Sequence, residues 1–327
     1  MSAYPYLLSV IVPFYNNADF IVDSLRSLLN QVTDDVEIVI IDDGSTDDSV
    51  QRVTQLLEGQ TAHHATLICQ PNGGIAHARN VGLANVRGRY VTFLDGDDLL
   101  SSDYWQILRP LLLADQYDII DFNYKKFSGT VPTPPQGKKT EIYDYDFKNQ
   151  GLACLMPLFT RSMWHLWSRV YRHTLLEGES FATGRRYEDV IFTPFLYFKT
   201  RKIAHIEQVL YFYRDNNLGI TRNHSEKDIA DLQFAMSKMT DYALQHQHNS
   251  QIRPLAALMI ANCFCEIKNI TKKIHGCYRY SPELRNALQR AAKVCQGTKV
   301  PSKKVCQMRY PYIDELLSKV RIGLKKH

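Results

Sequence analysis

No run of this 327-residue chain approaches the roughly 18–20 consecutive apolar residues that a bilayer crossing needs, so no membrane span is expected. The N-terminus, Met1-Ser2-Ala3-Tyr4-Pro5-Tyr6, has no basic start and leads straight into an apolar segment, so no secretory leader is expected. Cysteine is sparse and odd in number: seven residues (69, 154, 263, 265, 277, 295, 306) with no C-x-x-C. Reduced thiols in a cytoplasmic chain follow. Cys263, Cys265 and His275 fit no usual zinc spacing. There is no G-x-G-x-x-G after the first strand and no G-x-x-x-x-G-K-[ST] anywhere, which removes the dinucleotide fingerprint and the P-loop. The loop from Asp95 has no glycine at its sixth position and Gln106 at its twelfth, so it is no EF-hand. Internal repeats are absent.

What remains is a globular composition, 45% hydrophobic and 22% charged. The net charge of +5 hides an asymmetry: residues 251–327 carry 16 Lys+Arg against 4 Asp+Glu, and residues 1–250 carry 23 against 30. A basic tail suits an anionic surface.

The most informative stretch is Gly88-Arg89-Tyr90-Val91-Thr92-Phe93-Leu94-Asp95-Gly96-Asp97-Asp98. Its first half has the residues of a buried strand. Its second half holds three carboxylates at the strand tip, the edge where open α/β sheets bind ligands. Carboxylates gathered there call for a countercharge, and a divalent cation bound through oxygen supplies one.

Earlier segments repeat the pattern. Leu7–Val12 reads as a central parallel strand, stopped by Pro13 and followed by Phe14-Tyr15-Asn16-Asn17. Apolar residues at 21, 22, 25, 28 and 29 predict a helix. Val36–Ile41 is a second buried strand running into Asp42-Asp43-Gly44-Ser45-Thr46-Asp47, with Ser45 or Thr46 expected to cap a helix ending near Glu58. A short strand at Ala65–Cys69 leads to Gln70-Pro71-Asn72-Gly73-Gly74, a turn opening a helix. The alternation predicts an α/β fold, a parallel sheet sandwiched by helices. Further on come a helix over Trp105–Leu113, a strand over Tyr117–Tyr124 and an irregular excursion over Lys125–Gln150. Then follow a helix over Phe192–Phe198, strands at Ile203–Glu207 and Val209–Tyr213, and helices from Ser225 onward.

Five motifs in order carry a family resemblance: Ser9-Val10-Ile11-Val12-Pro13-Phe14-Tyr15-Asn16; Asp42-Asp43-Gly44-Ser45-Thr46-Asp47; Asn72-Gly73-Gly74 with Ala78-Arg79-Asn80; Leu94-Asp95-Gly96-Asp97-Asp98; and Glu188-Asp189. Over about residues 7–222 the chain resembles the family 2 glycosyltransferases of bacterial surface-polysaccharide type. The resemblance implies a GT-A fold, a Rossmann-like, mostly parallel sheet flanked by helices, in residues 1–222. A helical, basic C-terminal region, residues 223–327, follows. It implies an inverting, metal-dependent transferase that takes a nucleotide-diphosphate sugar, UDP being favoured by its frequency in the family. The acceptor would be a glycan or a lipid-linked saccharide. Pro13 and Tyr15 would line the nucleobase pocket, Asp42 or Asp43 would bond the base, and Arg79 would lie near the nucleotide. Asp95 would approach the ribose, Asp97 would ligate Mn2+ or Mg2+, and Asp98 would support the turn or the metal's waters. Asp189 would be the catalytic base, with Glu188 positioning acceptor or loop.

Each feature also has a plainer reading. Asp43-Gly44-Ser45-Thr46 suits a turn and helix cap, Arg79 an exposed helix charge, and Glu188-Asp189 ion pairs with Arg185 and Arg186. Two positions depart from many relatives. Ser168-Arg169 stands where they carry Asn-Lys, which makes a diphosphate or acceptor contact doubtful there. Gly219 replaces a serine before Ile220-Thr221. In the tail, Ile313, Leu316, Leu317, Val320 and Leu324 form a helical stripe flanked by Lys319, Arg321, Lys325 and Lys326. That pattern fits an interfacial helix on anionic lipid, or equally a helix packed on the protein's own core or a dimer mate. Residues 301–327 are therefore expected to attach the protein peripherally to the inner face of the cytoplasmic membrane. An oligomer is compatible with the sequence. A nucleic-acid partner is not expected, because the tail lacks interleaved aromatics. The rival functions are a sugar-phosphate nucleotidyltransferase and a non-catalytic glycan-binding protein.

Overall fold

The computed structural model describes residues 4–58, 64–130, 140–215 and 224–323. In chain order its elements are β1 Tyr6–Phe14, α1 Ile21–Leu29, β2 Val36–Asp42, α2 Ser49–Glu58, β3 His64–Cys69, α3 Ile75–Asn85, β4 Gly88–Phe93, β5 Leu99–Leu100, α4 Tyr104–Leu113, β6 Ile119–Phe127, β7 Ile142–Asp146, α5 Phe147–Gln150, α6 Met156–Arg161, β8 Arg169–Arg172, α7 Glu188–Tyr197, β9 Lys202–Arg214, α8 Glu226–Gln245, α9 Ile252–His275, α10 Pro282–Cys295, α11 Ser302–Arg309 and α12 Pro311–Gly323. They fall into two compact units. One comprises Met1–Lys148, His165–Gly184 and Phe195–Gly219; the other comprises Asn149–Trp164, Arg185–Pro194 and Ile220–His327.

The first unit holds the sheet, ordered β3-β2-β1-β4-β8-β6-β9-β5, with β7 also on β9. The pairs β3-β2, β2-β1 and β1-β4 are parallel, as their hydrophobic runs predict. The sheet then becomes mixed: β8 is antiparallel to both β4 and β6, while β6 and β9 are parallel. Strands β1 and β2 are buried almost throughout, whereas β3, at the sheet edge, alternates exposed and half-buried residues. A buried carboxylate locks the three inner strands together. Glu37 accepts from Ser9 Oγ (2.6 Å) and from Arg87 Nε (3.1 Å), and Ser9 Oγ accepts from Gly88 N–H (2.7 Å).

Three local expectations change. Helix α2 starts at Ser49, past Ser45 and Thr46, and Asp47 Oδ1 accepts the Ser49 N–H (3.0 Å). The strands expected at Ile203–Glu207 and Val209–Tyr213 are one strand, β9. Its register against β6 slips between Ile206, Val209 and Tyr211, a bulge that interrupts the apolar pattern near Gln208. The excursion expected over Lys125–Gln150 contains the end of β6, then β7 and α5. Strand β7 gives a weak signal because Ile142, Tyr143 and Asp144 are exposed on it. Residues 131–139 of that stretch lie outside the described residues, as do Gly219 and Thr221.

The second unit is helical. Ser225 and Asp228 form a capping box that starts α8. Helices α8 and α9 bury their inward faces, including Ile229, Leu232, Met236 and Met239 on α8 and Leu255, Ile260, Phe264 and Ile267 on α9.

Candidate active site

In the first unit, the C-terminal ends of β1, β2 and β4 carry the residues singled out from sequence. Pro13 is buried in β1 opposite Ile41, and Tyr15, just past the strand, is 46% exposed. The turns after β1 and β2 are tied together. Ser45 Oγ accepts the Asn16 N–H (2.9 Å), Asn16 Oδ1 accepts the Thr46 N–H (2.8 Å) and Ser49 Oγ accepts the Asn17 N–H (2.8 Å). This cross-bracing fixes the backbone beneath Tyr15.

Asp42 and Asp43 are both 4% exposed but have different duties. Asp42 Oδ1 accepts the Ser45 N–H (3.0 Å). Asp43 grips the glycine turn. Its Oδ1 accepts from Gly73 N–H (2.9 Å) and Gln70 Nε2 (2.7 Å), and its Oδ2 accepts from Gly74 N–H (2.8 Å). The Gly73 and Gly74 N–H groups, of the kind that a glycine turn before a helix presents to a phosphate, are thus held by a carboxylate. Gly44 permits the close approach: its φ is 75°, and a Cβ there would sit 2.7 Å from Asn72 N.

Helix α3 carries Arg79, which is 4% exposed and not the solvent-facing charge of the plainer reading. Its Nη2 donates to Asp95 Oδ1 at 2.8 Å, and its guanidinium lies 5.9 Å from the Phe181 ring centroid. Asn80 holds the same segment in place, exchanging bonds with the Phe181 backbone (3.0 and 2.8 Å).

The acidic turn is braced from β9. Tyr211, fully buried, donates its hydroxyl to Asp98 Oδ2 (2.7 Å) and accepts the Asp95 N–H (3.2 Å). Arg214 donates its backbone N–H to Asp98 Oδ1 (2.7 Å) and its Nε to the Asp97 carbonyl (2.7 Å). Asp98 is therefore bonded as a support of the turn, the first of the two roles expected for it. Burial, then the charges of Asp97 and Asp95, push its carboxyl well above the usual range. Gly96 is where the acidic turn meets β1. A Cβ there would lie 2.8 Å from Phe14 Cβ and 3.2 Å from the Pro13 carbonyl, so glycine lets the turn close onto β1.

A cation fits here in one particular way. Among the described residues no three His, Cys, Asp or Glu side chains gather as a metal cage. Asp95 is bonded to Arg79, Asp98 is bonded to Tyr211 and Arg214, and Asp97, which lies between them in sequence, is half-buried. Such a turn would offer a hard cation one or two carboxylates, with phosphate oxygens and water to supply the rest, the usual manner of Mg2+.

An aromatic stack lies behind this turn. Trp167 stacks on Tyr211 (4.3 Å) and on Tyr213 (5.5 Å), and His165 stacks on Trp167 (4.7 Å, 4°). Burial, then Arg169 and Lys126, lower the His165 pKa to about 4. Arg169, at the departure from the Asn-Lys pattern, is 2% exposed and directed into its own unit. Its Nε donates to Tyr197 Oη (2.6 Å) and its Nη1 to the His165 carbonyl. The diphosphate contact doubted from sequence is not supported by this placement.

In the second unit Glu188 and Asp189 open α7, where acidic side chains suit the helix dipole. Asp189 Oδ1 accepts the Val190 N–H (2.7 Å). The preceding arginines pair with α8. Arg185 Nη1 meets Asp231 (2.9 Å), Arg186 N–H donates to Asp231 Oδ2 (2.8 Å), and Arg186 Nη1 meets both oxygens of Asp228 (3.1 and 3.0 Å). Between Arg186 and Glu188, Tyr187 is held at φ 58°, a costly conformation for a bulky residue. Sequence reading missed Asp228, Asp231 and Tyr211. Only Tyr211 left a local trace, its two-residue spacing from Tyr213 on a strand.

The sequence profile described as Glycosyl transferase family 2 matches residues 9–175. The chain belongs to that family. It is 32% identical over 222 residues to the uncharacterized glycosyltransferase EpsJ of Bacillus subtilis, covering 66% of this chain and 63% of that one. It is 28% identical over 325 residues to the glycosyltransferase GlyA of Streptococcus pneumoniae, covering 96% of this chain and 45% of that one. The chain thus spans less than two thirds of either relative. Among solved structures, S. aureus TarS 1-349 in complex with UDP-GlcNAc superposes with a TM-score of 0.72 at 19% identity, covering 95% of this chain and 88% of that one. The mannosyltransferase PcManGT of Pyrobaculum calidifontis, in complex with GDP-Man and Mn2+, gives 0.54 at 16%, covering 97% and 88%. The fold is the GT-A fold expected from sequence. Family membership favours the transferase over the nucleotidyltransferase and glycan-binding alternatives.

Proposed function

We propose that this chain transfers a sugar, with inversion, from a nucleotide-diphosphate donor, UDP in the first instance, to a hydroxyl of a glycan or lipid-linked saccharide. The observation that carries the reading is the acidic turn Asp95–Asp98 at the tip of β4, braced by Tyr211 and Arg214 and joined to Arg79. In this reading Pro13 and Tyr15 line the base pocket. Asp43 is the better choice for the base contact, since it grips the turn that opens α3, the helix carrying Arg79. Arg79 orients Asp95 toward the ribose. Asp97 would hold Mn2+ or Mg2+; when bound, the cation offsets charge developing on the leaving diphosphate. Asp189 takes the proton of the acceptor hydroxyl, on a helix start kept in place by Asp228 and Asp231. Residues 1–222 serve donor binding and catalysis and residues 223–327 serve association, at the cytoplasmic face of the membrane.

Asp189→Asn tests the base. Transfer should fall by about 10²–10⁴-fold while UDP still binds by calorimetry. Loss of UDP binding together with transfer would make Asp189 structural.

A further inference from the structure

Helix α12 turns its polar side inward. Asp314, Glu315 and Ser318 are 5%, 6% and 9% exposed, while Tyr312, Ile313, Leu316, Leu317 and Val320 are 49–65% exposed. The inward side is bonded throughout. Asp314 receives Lys268 Nζ (2.9 Å), Tyr280 Oη (2.9 Å) and Gln307 Nε2 (2.7 Å). Glu315 receives Arg285 Nη2 (2.8 Å) and the Tyr280 N–H (2.7 Å), and Ser318 Oγ receives the Tyr278 N–H (2.9 Å). Rolling the helix to bury its apolar stripe would strand these charges, so its orientation is fixed. Packing of Ile313, Leu316, Leu317 and Val320 on the protein's own core, one part of the plainer reading from sequence, is therefore overturned, and Leu324 lies outside the described residues.

Charge selects what covers the stripe. Residues 301–327 hold seven Lys+Arg and two acidic residues, and both acidic residues face inward. Lys319 is exposed on α12 next to the stripe and Lys303 is exposed on α11, and Tyr310 and Tyr312, 50% and 65% exposed, are side chains suited to a headgroup layer. A second copy would set like charge against like, whereas an anionic lipid surface neutralises it.

We propose that α12 lies flat in the headgroup region of an anionic bilayer, its apolar stripe inserted and its carboxylates anchored in the protein. The inference rests on the packing of α12, not on the sugar-transfer reading, so the two fail separately. The test is co-sedimentation of the full chain with phosphatidylcholine vesicles, with and without roughly one third phosphatidylglycerol. Binding should need the anionic lipid and weaken as salt rises. Ile313→Ser/Leu317→Ser should lower it by about tenfold or more, with an unchanged melting temperature. Lys303→Gln/Lys319→Gln should flatten the salt dependence. Three results would overturn the proposal: unchanged binding of the Ser variant, equal binding to neutral vesicles, or a lipid-free dimer that strengthens with salt and dissociates in the Ser variant.

Discussion

Replacing Asp43 by alanine removes the acceptor of three donors at once: Gly73 N–H, Gly74 N–H and Gln70 Nε2. Gly73 and Gly74 are exposed, so water takes over part of the loss. Three bonds to a carboxylate, partly replaced, amount to about 2–3 kcal/mol. The cost falls on the turn rather than the whole chain, so hydrogen exchange of residues 70–78 is the suitable assay. Exchange there should accelerate about 30- to 150-fold, since each 1.4 kcal/mol is a factor of ten. Asp42→Ala loses one bond, from Ser45 N–H, and should cost only about 1 kcal/mol, felt at the β2–α2 turn. UDP affinity should fall by about tenfold or more in Asp43→Ala and much less in Asp42→Ala. The reverse order, with residues 70–78 exchanging as in the wild type in Asp43→Ala, would refute the assignment.

Gly96→Ala should destabilise the chain by about 1–3 kcal/mol in thermal or urea unfolding, because the new Cβ meets Phe14 Cβ at 2.8 Å. Asp231→Ala should lower kcat about tenfold by loosening the turn ahead of Asp189, while leaving UDP affinity unchanged; a lost affinity with kcat retained would contradict that role. His165 has a folded pKa of about 4 against an ordinary 6.5, so its native form is neutral. The stability this contributes is present above pH 6.5 and declines as pH falls from 6.5 toward 4, by up to about 3 kcal/mol. His165→Gln should remove that part of the acid slope in unfolding curves recorded across the window.

The strands ending in carboxylates were legible because a buried strand and a cluster of charges are both local patterns: β2 stops at Asp42 and β4 at Phe93, just before Leu94-Asp95, whereas β1 runs through Pro13, where it was expected to stop, and ends at Phe14. The strand β7 was not, since its exposed edge residues carry no hydrophobic alternation. Arg169 could be read as a charge but not as a buried one, because Tyr197 lies 28 residues away. The stripe on α12 was visible as a shared face, yet periodicity does not say which face turns inward. The groups that decide it, Arg285 and Lys268, are 30 and 46 residues distant. Tyr211 and Asp231 brace their sites through contacts of the same long-range kind.

The most direct measurement is release of nucleoside diphosphate from a panel of nucleotide sugars, with Mn2+, with Mg2+ and with chelator, for the wild type and Asp97→Ala. The expected result is release from a UDP-sugar that requires the cation and falls about 100-fold in Asp97→Ala. Release that persists in chelator, or full cation-dependent turnover in Asp97→Ala, would contradict the metal-assisted site at Asp95–Asp98.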